Sequence, residues 1–368
     1  MRNISFENRP DEFWETLRKR VDEYFISKNI STYANGAMWF RVAFMLLLFL
    51  VPYALLFIFT WTPFQMWLLC LVMGFGVAGI GLCISHQAAH NAISSNKKVN
   101  RALSLTFNLV GTSDYIWKIK HNVFHHAYTN VYELDEGLKE GEILRLSNDA
   151  PYYKIHRYQH LYAFFLYAIF TVIWTLVLDI EKLMRYNGMG SRNASVKHPR
   201  KELFLFWFTK AWFIFIAIVL PFWVLNITFL QYLAGFFTIQ VIASLLVVIV
   251  FQVEHLTEYT EHVSPDDSGK VNCTWAITQL KGTSNFKART RLFEWYVGGT
   301  NYQVEHHLFP NICAIHYPAL AGIVEQTAKE YGLRYHCQPS IGSAIVSHYY
   351  FLKHMGRSAR VQLTSNIA

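Results

Sequence analysis

Two long stretches of this chain lack any charged side chain: neither Val42–Asn96 nor Ala211–Val253 contains a Lys, Arg, Asp or Glu. Each is long enough for two helices of about 20 residues, the length that crosses a bilayer core. A helix packed into a soluble core would carry a polar stripe along one side. These stretches carry none, so the chain reads as an all-α integral membrane protein. Turn signals divide the runs, Trp61-Thr62-Pro63 in the first case, and the pattern predicts spans at about 42–60, 64–84, 203–225 and 229–253. In the second span, small residues between Gly74 and Gly81 would let another helix approach closely. Residues 161–178 form a further apolar segment about 18 long, and 102–112 are apolar but too short to span. Ahead of the first span, the polar residues 1–39 predict an amphipathic helix around Glu12–Phe25. No cleavable signal peptide is visible, so the first span is expected to act as a signal-anchor.

Composition narrows the class. The 368 residues are 53% hydrophobic and only 16% charged, which makes nucleic acid a poor partner. The five cysteines are scattered without a CxxC pair, which argues against a disulfide framework and fits a reducing cytosolic face. A net charge of +8 suits basic loops beside anionic lipid and a docking face for acidic carriers. The loop holding Lys182, Arg185, Arg192, Lys197, Arg200 and Lys201 is one such basic region, and the N-terminal segment is another. By the positive-inside rule both are cytosolic.

The candidate chemistry lies in histidines. Seven of the sixteen sit in three short boxes, His86-Gln-Ala-Ala-His90, His121-Asn-Val-Phe-His125-His126 and Gln303-Val-Glu-His306-His307. On a helix, residues three and four apart share a face, so each box can aim two or more rings at one point. Seven imidazoles exceed the four ligands of one tetrahedral zinc. Imidazole also suits copper, nickel and iron, and the ligand number and membrane setting favour two iron ions and an oxygen-activating enzyme. Ile84 is where the second predicted span ends, and His90 lies roughly 9 Å beyond it at 1.5 Å rise per residue, close to the bilayer surface. If 161–178 crossed the membrane, the third box would face the side opposite the first two. The expected topology is therefore four spans in two hairpins, with 161–178 interfacial or re-entrant. A cytosolic helical cap holds the histidine-rich site. Residues 1–39 form a cytosolic segment, 40–335 the membrane domain and 336–368 a cytosolic tail.

The boxes, together with Trp295-Tyr-Val-Gly-Gly-Thr-Asn301-Tyr-Gln303-Val-Glu-His306-His307-Leu-Phe-Pro310, resemble the membrane fatty acid desaturases. They are most similar to the front-end acyl desaturases, whose third box opens with Gln; His156-Arg-Tyr-Gln-His160 and His316-Tyr317-Pro318 also match that group. The resemblance covers roughly residues 40–335. It implies a non-haem di-iron centre, dioxygen as co-substrate, and a cis double bond placed in a fatty acyl chain carried as acyl-CoA or acyl-lipid. Carried over by position, the iron ligands are His86, His90, His121, His125, His126, His306 and His307, with His255 as an isolated further ligand. Gln303 either binds iron through its amide oxygen or holds a neighbouring imidazole. The chain departs from the family where Gln87 replaces the acid often found in the first box. It shows no His-Pro-Gly-Gly haem motif. Electrons are accordingly expected from a separate protein, ferredoxin or cytochrome b5 with its reductase, in a bacterial inner membrane or the endoplasmic reticulum.

Ligating imidazoles usually donate their outer N–H to a carboxylate or carbonyl. The candidates for that supporting role are Asp114, Glu254, Asn301, Glu305 and His160. Trp117, Tyr115, Trp295 and Tyr296 are candidates for lining an acyl tunnel, and His198, His262, His336, His348 and His354 are expected at the surface. The principal rival is a di-iron lipid hydroxylase, which shares the ligand set. A bis-histidine haem carrier would place its histidines inside facing spans. A zinc protease would need the glutamate of HExxH, which neither His-x-x-x-His box contains.

Overall fold

The computed structural model describes residues 4–139, 142–188, 190–191, 194–195 and 198–357. The expectations placed on Arg192, Lys197 and the tail beyond 357 lie outside these residues. The described residues are mainly helical with three two-residue strand pairings, the parallel pairs being Ser5–Phe6 with Lys270–Val271 and Asn285–Phe286 with Cys337–Gln338.

Helix α1 (Glu12–Lys28) starts at Asp11, whose carboxylate accepts the Trp14 N–H at 2.9 Å. Among the described residues, five longer helices follow that are long and apolar enough to cross a membrane: α2 (Gly36–Ile58), α3 (Pro63–Ala89), then Lys154–Tyr186, Arg200–Val224 and Phe229–His255. The starts of α2 and α3 differ from the hydropathy boundaries because polar caps set them. The Asn35 side chain accepts from Met38 N, and Thr62 and Gln65 form a capping box with Pro63 in the first turn. At its other end α3 runs on through a π-helical turn, Ile80–Ser85, so that His86 continues the helix instead of following it. Helix Lys154–Tyr186 has 33 residues, so the predicted interfacial segment is the middle of a helix long enough to span.

By compactness the chain divides into two units. One comprises Asn35–Ile119 and Phe165–Val248 and holds most of the apolar helix length. Inside it the small residues of α3 permit close backbone contact. A Cβ on Gly76 would lie 2.6 Å from Phe49 N, and one on Gly74 would lie 2.9 Å from Ile242 Cβ. Gly111 adopts φ +95°, and a Cβ there would also meet Thr175 Cγ2 at 2.6 Å. This turn leads into α4 (Asp114–Lys118), capped by Ser113. The turn is anchored by a buried ion pair. Lys210 Nζ donates to Gly111 O (2.6 Å), Thr175 O (2.6 Å) and Asp179 Oδ2 (2.7 Å), while Asp179 also accepts from Ser113 N and Trp174 Nε1. The three N–H donors of this buried ammonium and both oxygens of Asp179 are thereby satisfied, as charges removed from water require.

The second unit comprises Met1–Ala34, Lys120–Phe164 and Ile249–Ala368. Its core forms where Phe13, Leu17, Val21 and Phe25, spaced one turn apart on α1, meet Tyr317, Leu320 and Val324 of a helix spanning Tyr317–Glu330. The same core takes in Val304 and Leu308 from the short helix Gln303–Leu308. The third histidine box is thus built on a packed element. At the other edge Arg145, only 3% exposed, donates to the carbonyls of Asn148, Ala150 and Met355. It fixes the end of helix α5 (Ile341–Met355).

Candidate metal centre

The second histidine box lies on a π-helical turn, Ile119–His125, and the first follows another. One extra residue per turn rotates neighbouring side chains relative to an ordinary helix, and such turns recur at functional sites. In the second unit the rings of His121, His126 and His306 converge. His126 Nε2 lies 3.0 Å from His121 Nε2 and 3.0 Å from His306 Nε2. A neutral imidazole nitrogen either donates or accepts, so one nitrogen facing two others cannot satisfy both contacts by hydrogen bonding. A cation between them resolves the conflict. Neighbouring donors around an ion with metal–nitrogen bonds of about 2.0–2.1 Å stand about 3 Å apart.

A second group forms from His125, His255 and His307, with one ligand atom of each within 4.8 Å of the others. His125 Nε2 is 3.3 Å from His255 Nε2. Gln303 joins them. In the orientation that satisfies its amide, Oε1 faces His255 Nε2 at 2.9 Å, while Nε2 donates to Glu254 Oε2 (3.1 Å) and Thr300 O (3.2 Å). The amide oxygen therefore points at the same centre as the rings.

Four of the outer nitrogens face hydrogen-bond partners. His125 Nδ1 donates to both oxygens of Asp135 at 3.1 and 3.0 Å, and His307 Nδ1 lies 2.8 Å from Gln279 Oε1. His255 Nδ1 donates to Gly282 O at 3.2 Å, and His306 Nδ1 is 3.4 Å from the Tyr317 hydroxyl. Pinning a proton on Nδ1 leaves Nε2 as the lone-pair donor, the tautomer that metal ligation requires. Burial alone would push the Asp135 carboxyl up. His125 beside it and the backbone N–H groups of Asn130 and Gly137 outweigh that and hold it below the usual carboxylate range. Asn130, at φ +57°, uses its amide to tie the carbonyls of His255 (3.1 Å) and Gly282 (3.1 Å) together.

In the other unit His86 and His90 pack ring to ring at 5.4 Å, with Trp117 edge-on to both at 5.3 and 6.3 Å. Trp117 thus supports the first box from behind. Tyr115 bonds His198 Nδ1 at 2.9 Å.

The supporting candidates read from the sequence have the following partners. Asp114 is occupied by Arg101, Ser104 and Lys118. Glu305 accepts from Asn285 and Tyr335, and burial pushes its carboxyl up to about 7 against those bonds. Asn301 donates to Phe286 O, and His160 packs on the Tyr349 ring at 5.2 Å. Glu254 reaches the centre indirectly, through Gln303. Sequence reasoning missed Asp135 and Gln279, which lie outside the boxes; Tyr317 stood inside a motif noted for other reasons. His198 and His348 are buried, contrary to the surface expectation, because ring nitrogens find backbone acceptors in Leu183 O and Leu256 O.

The family model for fatty acid desaturases matches residues 62–339. The chain belongs to the fatty acid desaturase family. This desaturase is 31% identical to an sn-1 linoleoyl-lipid 6-desaturase of Synechocystis, over 94% of its length and 96% of the relative's. It is 32% identical to a protein of the same name from Arthrospira platensis, over 93% and 92%. It is 30% identical to an acyl-lipid (8-3)-desaturase of Physcomitrium patens, over 94% and 72%. It is accordingly a membrane-associated oxidoreductase that introduces a double bond into fatty acyl chains, and the convergent imidazoles are consistent with iron.

Proposed function

We propose that this desaturase inserts a cis double bond at the carboxyl side of an acyl chain, in the front-end manner, using two non-haem iron ions, dioxygen and electrons from ferredoxin or cytochrome b5 with its reductase. The observation that carries the reading is the two-fold convergence of imidazole rings, with acceptors on Nδ1 of His125, His255 and His307 in one group and the Tyr317 hydroxyl at His306 Nδ1 in the other. His121, His126 and His306 would hold one ion, and His125, His255 and His307 the other, with Gln303 as a weak oxygen ligand. The first box, His86 and His90, completes the ligand set on the strength of the family motif. When bound, iron supplies dioxygen activation: two electrons, two protons and two hydrogens of the acyl chain leave the oxygen as two waters. The chain's own residues hold each imidazole in its donor tautomer, balance charge at Asp135 and keep the site dry.

The reading further assigns four spans in two hairpins, with 161–178 lying along the cytosolic interface. A shared metal site requires all three boxes on one side, and the basic 182–201 loop favours that side being cytosolic. Residues 1–39, 40–335 and 336–368 then form the cytosolic segment, membrane domain and tail. The names of the three relatives support an acyl-lipid carrier.

Expression in a host lacking polyunsaturated fats, with double-bond localisation in the products, tests the reaction. A new cis alkene that disappears with His306→Ala is the expected result. A hydroxy acid without an alkene would establish the hydroxylase instead.

A further inference from the structure

We propose that an open cleft of about 580 Å³ beside the chain leaving His255 binds the zwitterionic phosphate–ammonium headgroup of the lipid whose acyl chain is desaturated. This rests on the acyl-lipid reading above. Its lining includes Glu258, Tyr259, Arg289, the first turn of α5 at Ser340 and Ser343, and Tyr350. The volume falls within the range of small-molecule sites, about 300–1,000 Å³.

Charge selects the ligand. The lining offers one cation, Arg289, and one anion, Glu258, and neither makes an ion pair among the described residues. A guanidinium takes a phosphate through paired N–H donors. A carboxylate in a cleft that is also lined by tyrosine rings takes an ammonium group, whose charge the ring faces attract. Tyr259 and Tyr350 are 50% and 48% exposed, so both rings remain open to such a group. A coenzyme A thioester brings several negative charges to a cleft with one cation, and an anionic headgroup meets Glu258 without compensation. A zwitterion matches both charges.

Position favours a lipid over a soluble metabolite. Tyr350 packs on Tyr349 at 5.5 Å, and Tyr349 packs on His160 at 5.2 Å, near the start of the apolar helix Lys154–Tyr186. Tyr158 and Leu161 beside it expose 54% and 65% of their surface, and Arg157 is exposed with them, a mixture suited to the membrane interface. The cleft wall is also tied to the metal centre. Thr260 Oγ1 donates to His255 O at 2.7 Å, and Glu258 N donates to Ser347 Oγ at 3.1 Å. A headgroup fixed here registers the carboxyl end of its acyl chain against the histidine cluster.

The test uses full-length, iron-loaded enzyme in detergent with a reducing system, given one acyl chain on phosphatidylcholine, phosphatidylethanolamine, phosphatidylglycerol, a monogalactosyl diacylglycerol or coenzyme A. KM and kcat are read separately, and binding of dihexanoylphosphatidylcholine is measured by equilibrium dialysis. A zwitterionic carrier should show the lowest KM. Arg289→Glu and Tyr350→Ala should each raise that KM tenfold or more with kcat little changed, weaken dihexanoylphosphatidylcholine binding in step, and leave the galactolipid KM in place. Glu258→Gln should erase the preference over phosphatidylglycerol. Preference for coenzyme A or galactolipid, or variants that keep the wild-type carrier ranking, would overturn the proposal. Binding of dihexanoylphosphatidylcholine with an unchanged ranking would mean the cleft holds bulk lipid, which overturns the substrate assignment. Desaturation on none of the carriers is the separate failure of the parent reading, and the dialysis arm still decides whether the cleft takes the zwitterion.

Discussion

Asp135→Asn isolates the support of one ligand from the ligand itself. The carboxylate receives four bonds, from His125 Nδ1 on both oxygens and from Asn130 N (2.9 Å) and Gly137 N (2.8 Å). Asparagine is nearly isosteric and keeps one oxygen for a backbone N–H. Its amide nitrogen, however, cannot accept the imidazole proton, so His125 is free to take the other tautomer, with Nε2 protonated and unable to bind metal. Loss of such a partner lowers metal affinity by about 10–100-fold, or about 1.4–2.8 kcal/mol. The assay is anaerobic titration of the chelator-stripped variant with ferrous iron, followed by product analysis on the reloaded protein. One class of site should weaken while the other is spared. Asp266→Asn, an exposed acid outside the cluster, serves as the control. Wild-type affinity for both ions in Asp135→Asn would refute the tautomer argument, since the remaining bonds do not distinguish the two ring nitrogens.

Three further outcomes follow from packing and charge. Lys210→Met removes the ion-pair partner of buried Asp179 and should cost about 3–5 kcal/mol by detergent-phase unfolding, with Lys210→Met/Asp179→Asn recovering part of it. Gly76→Val forces side-chain atoms into the α2 backbone at Phe49 and should cost about 1–3 kcal/mol, read as a lower melting temperature; an unchanged value would mean the helices part easily. His348 is held down to about 4 by burial, opposed by its bond to Leu256 O, against an ordinary 6.5. Its folded value lies below its unfolded one, so its neutral form stabilises the fold in full above about pH 6.5, and that contribution, about 3 kcal/mol, is lost as pH falls towards 4. His348→Gln should flatten the fall in melting temperature between pH 7 and 5, and an equal slope in both proteins would count against it.

Hydropathy alone made the class legible, because uncharged runs of forty residues and more have few other uses. The histidine spacing likewise marked the candidate ligands, since imidazoles at helical intervals next to such runs cost too much to be incidental. Local caps then moved boundaries that hydropathy could place only roughly, as at Asn35 and Thr62, and a π-helical turn carried α3 on into His86. What the linear pattern could not show is which distant group holds each ring. Asp135 and Gln279 meet His125 and His307 only after π-helical turns and the Asn130 clamp set the chain's path. By the same token Asp114, adjacent in sequence to the second box, turns to Arg101 and Lys118 instead. Hydrophobic periodicity is a property of the chain and survives in one dimension. Hydrogen-bond partnership depends on three-dimensional approach to a few tenths of an ångström, and only the folded packing of these helices decides it.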